Sequence, residues 1–196
     1  MSPLVVLHVC MGNICRSPMS ERLLLDLVRE RAGASAADLL VSESTGTGGW
    51  HVGQAMNPPA ARELQRRGVA DSGFRARRLA GDHLDRADLV LTATSEQLDF
   101  ALSLRPDVAD RAFVLGEFGR LAESIDPAGL PPVELTVDGV YERGVALVTA
   151  VDKARDGAAP LISDDLDDPY GRNDAYYQRT ADQIVRSLRP LVERLV

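Results

Sequence analysis

The sequence predicts an α/β protein, a three-layer sandwich with a central four-stranded parallel sheet flanked by helices. Three observations predict it. Short, largely apolar runs at Leu4–Val9, Leu39–Val41, Asp88–Ala93 and Ala112–Leu115 read as buried strands. Stretches with apolar residues at helical spacing separate them, and that alternation indicates crossover connections and a parallel sheet. The first run ends abruptly in a glycine-bearing loop that opens a helix, and such sheets bind ligands beyond the carboxyl ends of their strands. At 196 residues the chain suits one domain, 1–196, with an extended connection around 123–165.

Composition narrows the function classes. The 45% hydrophobic and 26% charged content is that of an ordinary globular protein, not of a disordered one. A net charge of −7 argues against a nucleic-acid binder, so any anion site must attract locally. No apolar stretch approaches a membrane span, and Leu4–Val9 runs straight into the loop, as a core strand rather than a signal peptide does. The two cysteines, Cys10 and Cys15, both lie in that loop, which excludes a disulfide scaffold and fits a cytoplasmic setting.

The first strand leads into C-M-G-N-I-C-R-S-P, Cys10 to Pro18. Backbone N–H groups at a helix N-terminus lack partners and, with the helix dipole, make an anion site. Gly12 lets the backbone curl, so that the loop of Met11, Gly12, Asn13, Ile14, Cys15 and Ser17 can wrap a phosphate. Arg16 adds a planar fork matched to two phosphate oxygens. Cys10 lies at the floor of this nest. The thiolate is the nucleophilic form of cysteine, and positive surroundings favour it. Ser17 is placed to donate a hydrogen bond to that sulfur. Asn13 suits a side-chain brace of the loop or a left-handed backbone. A cysteine and an arginine six residues apart mean little alone. The strand before, the glycine between and the helix after point to chemistry. His8, inside the strand, reads as a satisfied structural residue.

Pro18 fits a first helical turn, and Met19, Leu23, Leu24, Leu27 and Val28 form one stripe ending near Ala32–Gly33. Leu39–Val41 gives way to a glycine-rich loop, Glu43–Gly53, which lacks the Lys-Ser/Thr ending of a nucleotide cradle. It holds the one tryptophan, Trp50, as a cap on the core or a wall of a cleft. Pro58 and Pro59 open a helix that Gly68 stops. The basic run F-R-A-R-R-L, Phe74–Leu79, reads as a solvated face able to guide anions. Helices are expected at Leu84–Ala87, around Leu98–Leu102 and through Leu121. Glu123–Asp165 combines prolines with an apolar helical pattern at Val145, Val148 and Val151. It reads as a longer connection, ahead of a lid or a partner surface. L-D-D-P-Y-G, Leu166–Gly171, is a turn bearing carboxylates. Tyr177 to Leu195 marks a long amphipathic helix that Pro190 can bend.

C-M-G-N-I-C-R-S-P resembles the phosphate-binding loop of the low-molecular-weight protein tyrosine phosphatases. S-T-G-T-G-G-W-H-V-G and D-P-Y are similar to further segments of that family, and the likeness covers roughly 4–121 and 166–196. The resemblance implies hydrolysis of phosphotyrosyl proteins through a phosphocysteine, without metal or cofactor. It implies phosphate and other oxyanions as inhibitors, and neither nucleic acid nor membrane as partner. In that family pattern Cys10 is the nucleophile, Arg16 the phosphate fork and Asp168 the general acid, with Asp167 the alternative. Asn13, Ser17 and Ser44 support the loop. Met11, Trp50 and Tyr170 line the substrate cleft, with Tyr170 facing Trp50 across a phenyl ring. Cys15 is either a small core residue or a backdoor thiol that pairs reversibly with Cys10. Two positions bear on this pattern. Phe74 stands where many members carry a histidine that buttresses the loop asparagine. Ile14 stands where related arginine phosphatases carry threonine, which favours phosphotyrosine. A protein arginine phosphatase and a non-catalytic phosphoprotein-binding module are the alternatives. Arsenate reductases need redox cysteines that this chain lacks.

Overall fold

The four apolar runs pair side by side, all parallel, in the order β2-β1-β3-β4, in a computed structural model that describes residues 2–33 and 38–196. Strand β1 (Leu4–Cys10) lies between β2 (Leu40–Gly46) and β3 (Leu89–Thr92), and β4 (Ala112–Val114) forms the far edge. Both faces of the sheet are covered, which is why these strands are apolar throughout rather than alternating. Leu4, Val6 and Cys10 join one core cluster, Leu7 and Val9 the other. This is the three-layer arrangement the alternation predicts.

Helices α3 (Gly81–Arg86) and α4 (Ser95–Leu104) close the face of Leu7, Val9 and Val90. Helices α1 (Arg16–Ala32), α2 (Pro58–Arg66), α5 (Leu115–Glu123) and α7 (Asp174–Leu195) build the larger cluster on the other face. Helix α7 packs against α1 and α5, and it continues through Pro190.

Two stretches differ from their sequence reading. β2 runs five residues beyond its apolar core, to Gly46, although Glu43–Gly46 reads as loop. Ser44 and Thr45 are fully buried there, and Ser44 accepts from Asn13 of the loop after β1 instead of joining an apolar core. The 123–165 stretch is not mere connection. It contains the 19-residue helix α6 (Val137–Arg155), capped by Thr136, whose hydroxyl accepts from the Gly139 N–H at 3.0 Å. Val140, Leu147, Val148 and Val151 are buried in the larger core. Gly144 lies so close to β1 that a Cβ there would sit 2.6 Å from Leu4 Cδ2. The helical spacing at Val145, Val148 and Val151 marks this helix, but reading the stretch as a connection leaves out its packing against β1 and β2.

His8 is buried and bonded on both ring nitrogens, to Ser20 Oγ at 2.8 Å and Ser42 Oγ at 3.0 Å. Burial lowers its pKa to about 3, so it is a neutral structural residue. Among the described residues no helix is long and apolar enough to cross a membrane.

Candidate active site

β1 ends at Cys10, and α1 begins at Arg16, so five residues carry the chain from the sheet into the helix. The carbonyls between them turn outward. Cys10 O accepts from Thr47 N–H (2.9 Å), Met11 O from Gly48 N–H (2.8 Å) and Ile14 O from Asn57 N–H (2.8 Å). The amides face the other way, and among the described residues those of Gly12, Ile14 and Cys15 have no acceptor. Cys15 gives α1 no side-chain cap and the first turn carries no acid, so the helix end is left open to an anion.

Asn13 holds this shape. Its backbone is left-handed, with φ of 53°. Its Oδ1 accepts from Arg77 N–H at 2.7 Å, and its Nδ2 donates to Ser17 Oγ and Ser44 Oγ, both at 2.9 Å. Ser44 in turn donates to Glu21 Oε2 at 2.6 Å. Glu21 is buried, and that burial raises its pKa, against the Ser44 hydrogen bond and the charges of Arg22 and Arg77. Phe74 is packed in the core and takes no part. The brace that the Phe74 position leaves open is supplied by Arg77 N–H on one side and Glu21 on the other. Gly46 is required beside it: a Cβ there would lie 2.7 Å from Met11 O and 2.9 Å from Asn13 N.

Cys10 is a buried, free thiol at the floor of the loop. Its Sγ lies 3.0 Å from Ser17 Oγ and accepts from Asn13 N–H at 3.3 Å. Arg16 is likewise buried. Its Nη1 donates to Leu166 O at 3.4 Å and its Nη2 to Asp168 Oδ2 at 2.7 Å, while its Nε has no partner. A buried guanidinium donor without an acceptor is costly unless a ligand completes it.

Asp168 reaches the cleft from the far side of the chain. Asp165 anchors the segment by accepting from Ser95 N–H at 2.8 Å, and Leu166 N–H donates to Ala93 O at 2.8 Å. Asp168 Oδ1 then accepts from Tyr170 N–H at 3.1 Å. Cys10, Met11, Gly12, Ile14, Cys15, Arg16, Trp50, His51, Asp168 and Tyr170 together line one cavity. Asp167 does not. Trp50 and Tyr170 are both exposed at its mouth, but they do not face each other directly. His51 stands between them, its ring centroid 6.4 Å from each. Gln54 Oε1 lies 2.9 Å from His51 Nδ1 and orients the ring. Sequence reading passed over His51, since a lone histidine in a glycine-rich loop carries no signal of its own.

Cys15 is buried and free, and burial pushes its thiol up to about 12, with the Tyr177 contact opposing. It therefore keeps its proton at neutral pH. Its Sγ lies 3.9 Å from Tyr177 Oη.

A cysteine and an arginine on a loop of free amides, between a parallel strand and a helix, make a nest whose chemistry suits an anion, with a thiol at its base. The sequence model for the low molecular weight phosphotyrosine protein phosphatases matches residues 5–130, and the chain belongs to that family. The match ends before Asp168. A low molecular weight protein-tyrosine-phosphatase of Streptomyces coelicolor is 36% identical over 127 residues, 63% of this chain and 70% of that protein. The low molecular weight phosphotyrosine protein phosphatase of Schizosaccharomyces pombe is 33% identical, over 71% of this chain and 81% of its own. YfkJ of Bacillus subtilis is 34% identical over 47% of this chain, which spans only 58% of YfkJ's length. In fold, the chain is similar to the tyrosine phosphatase Wzb of Escherichia coli K30, solved with sulphate. That pair gives a TM-score of 0.67 at 19% identity, covering 98% of both chains. It is equally similar to the YwlE arginine phosphatase of Geobacillus stearothermophilus, with a TM-score of 0.66 at 23% identity, covering 98% and 93%.

Proposed function

We propose that the chain is a cysteine-dependent protein tyrosine phosphatase. The observation that carries this reading is the meeting of Cys10, Arg16 and Asp168 in one cavity, with the Arg16 Nε donor buried and unpaired. The bound phosphoryl group takes that donor and the free loop amides. It also displaces Asp168 from Arg16 Nη2. Cys10 Sγ attacks phosphorus as the phosphorus–oxygen bond to the phenol breaks, and protonated Asp168 hands its proton to the departing oxygen. The equatorial oxygens rest on the amides and Arg16, where charge must be stabilised. Water then attacks the phosphocysteine, Asp168 takes its proton, and the phosphorus–sulfur bond breaks. Ser17 Oγ, 3.0 Å from Sγ, stabilises the thiolate as it leaves.

Ile14, buried in the cavity wall, favours a flat phenyl ring over a guanidinium, which supports phosphotyrosine over phosphoarginine. Trp50, His51 and Tyr170 supply the aromatic mouth that such a ring enters. The fold does not separate the two substrates, since phosphatases of both kinds share it.

Hydrolysis of a phosphotyrosyl peptide beside a phosphoarginyl peptide tests the reading, with reductant present. The expected outcome is selective phosphotyrosine turnover, abolished in Cys10→Ser and slowed by about 10²- to 10⁴-fold in Asp168→Asn. A preference for phosphoarginine overturns the substrate. Phosphopeptide binding without turnover by the native protein makes the chain a binding module.

A further inference from the structure

Phe74–Leu79 holds three arginines, and they are used differently. Arg77 is spent within the fold: its guanidinium donates to Ser44 O and pairs with Glu43 at 3.3 Å. Arg75 donates to the carbonyl of its neighbour Phe74. Arg78 is exposed, and among the described residues its guanidinium has neither a hydrogen bond nor an ion pair.

The backbone places Arg78 at the cleft. Residues 76–79 run along the loop after β2: Gly46 N–H donates to Arg77 O (2.9 Å), Leu79 N–H to Gly46 O (2.7 Å) and Ala76 N–H to Gln54 O (2.9 Å). The other side of that loop carries the phosphate-loop carbonyls of Cys10 and Met11. One thin loop thus separates the arginine run from the phosphate nest. The glycine pair within it gives room on both sides. A Cβ on Gly48 would lie 1.9 Å from the Trp50 ring, which folds over it. A Cβ on Gly49 would lie 3.2 Å from Arg78 Cδ and 3.7 Å from Arg78 Nε. The Arg78 stem therefore crosses the loop at the residue before Trp50, and its free guanidinium stands on the rim beside the aromatic wall.

We propose that Arg78 selects phosphotyrosine in an acidic sequence context, by pairing with a carboxylate of the substrate protein beside the phosphorylated residue. The proposal rests on the phosphotyrosine reading above and adds a substrate class to it. A phosphotyrosyl ring seated between Trp50, His51 and Tyr170 carries its flanking backbone over this rim, where an acidic side chain meets the unpaired cation. In a protein of net charge −7, an unpaired arginine at the mouth is a local attraction that the surface elsewhere opposes.

The test compares kcat/KM for two phosphotyrosyl peptides, one flanked by glutamates and one by glutamines, with para-nitrophenyl phosphate as the flankless reference. The native protein is expected to favour the acidic peptide by about two- to fivefold, the scale of an exposed ion pair, mostly through KM and less so at high salt. Arg78→Glu reverses the preference and leaves para-nitrophenyl phosphate unchanged, which also reports that the variant is folded. Arg189→Glu alters net charge equally, beside Arg31 at the opposite end of α1, and leaves the preference intact. Equal rates on both peptides, or an acidic preference that survives Arg78→Glu, overturn the proposal. If the native protein hydrolyses none of the three substrates, the phosphatase reading falls instead. The flank preference is then read from calorimetric binding of the same peptides, by the same criteria.

Discussion

Glu21 shows how much of the Cys10–Arg16 loop is held by a residue outside it. Its carboxylate accepts from Ser44, which leaves the Ser44 oxygen to accept from Asn13, and Asn13 Nδ2 then also serves Ser17 beside Cys10. Ser17 Oγ in turn lies 3.0 Å from Cys10 Sγ and 3.2 Å from Thr45 O, so the network ties the loop to β2. The charge is not free of cost. Burial raises the Glu21 pKa above its unfolded value, so a proton bound there stabilises the fold. That contribution is complete below the unfolded pKa near 4.5 and is lost as pH rises through the folded value. Glu21→Gln keeps an acceptor for Ser44 and removes the buried charge. It is therefore expected to melt higher than the native protein at pH 8, with the gap closing as pH falls towards 4. Thermal unfolding across that range checks this, and parallel pH profiles for the two proteins would refute it.

At the scale of elements, α6 carries the sharpest prediction. Leu147 is fully buried and Gly144 lets the helix approach Leu4 of β1 and Leu195 of α7. Leu147→Ala is expected to lower unfolding stability by about 2–5 kcal/mol, measured by urea titration. A change below about 0.5 kcal/mol, the range of surface substitutions, would mean that α6 is only an attached connection. The same helix marks the limit of what the sequence makes legible. β1, β3 and β4 are apolar on both faces, so composition alone identifies them. The loop at Cys10–Pro18 is legible because its residue types serve one chemistry in order. The second half of β2 is not, because Ser44 faces Asn13 rather than an apolar core, and polar residues in a strand look like a loop. The helical spacing at Val145, Val148 and Val151 marks α6, but its packing is obscured by the prolines and glycine ahead of it, and by Val145, which belongs to the apolar pattern yet lies at the exposed edge. His51 enters the cleft only because the loop after β2 folds back on Gly12, where a Cβ would touch its ring at 3.0 Å. Tertiary return of that kind leaves no local pattern.

For the whole molecule, the Arg16–Asp168 pair sets how ligand and stability are linked. Arg16 gives its Nη2 donor to Asp168 and leaves Nε unpaired. An oxyanion that binds the folded chain alone takes both donors and raises stability by mass action, by about 2.7 kcal/mol at one hundred times its dissociation constant. For a chain of this size each kcal/mol moves the melting temperature by about 2–4 °C, so saturating phosphate or sulfate is expected to raise Tm by about 5–11 °C. Arg16→Ala abolishes the shift. Asp168→Asn acts in the opposite direction, because it removes both the carboxylate that occupies Nη2 and the negative charge that faces the anion. At one subsaturating oxyanion concentration it is expected to show a larger Tm shift than the native protein while turning over phosphotyrosine more slowly. Calorimetric scans of the three proteins, with and without oxyanion, decide the matter. A shift that survives Arg16→Ala places the anion elsewhere. A smaller shift in Asp168→Asn means that Asp168 helps to hold the anion, and then the Arg16–Asp168 pair is not what the incoming phosphate displaces.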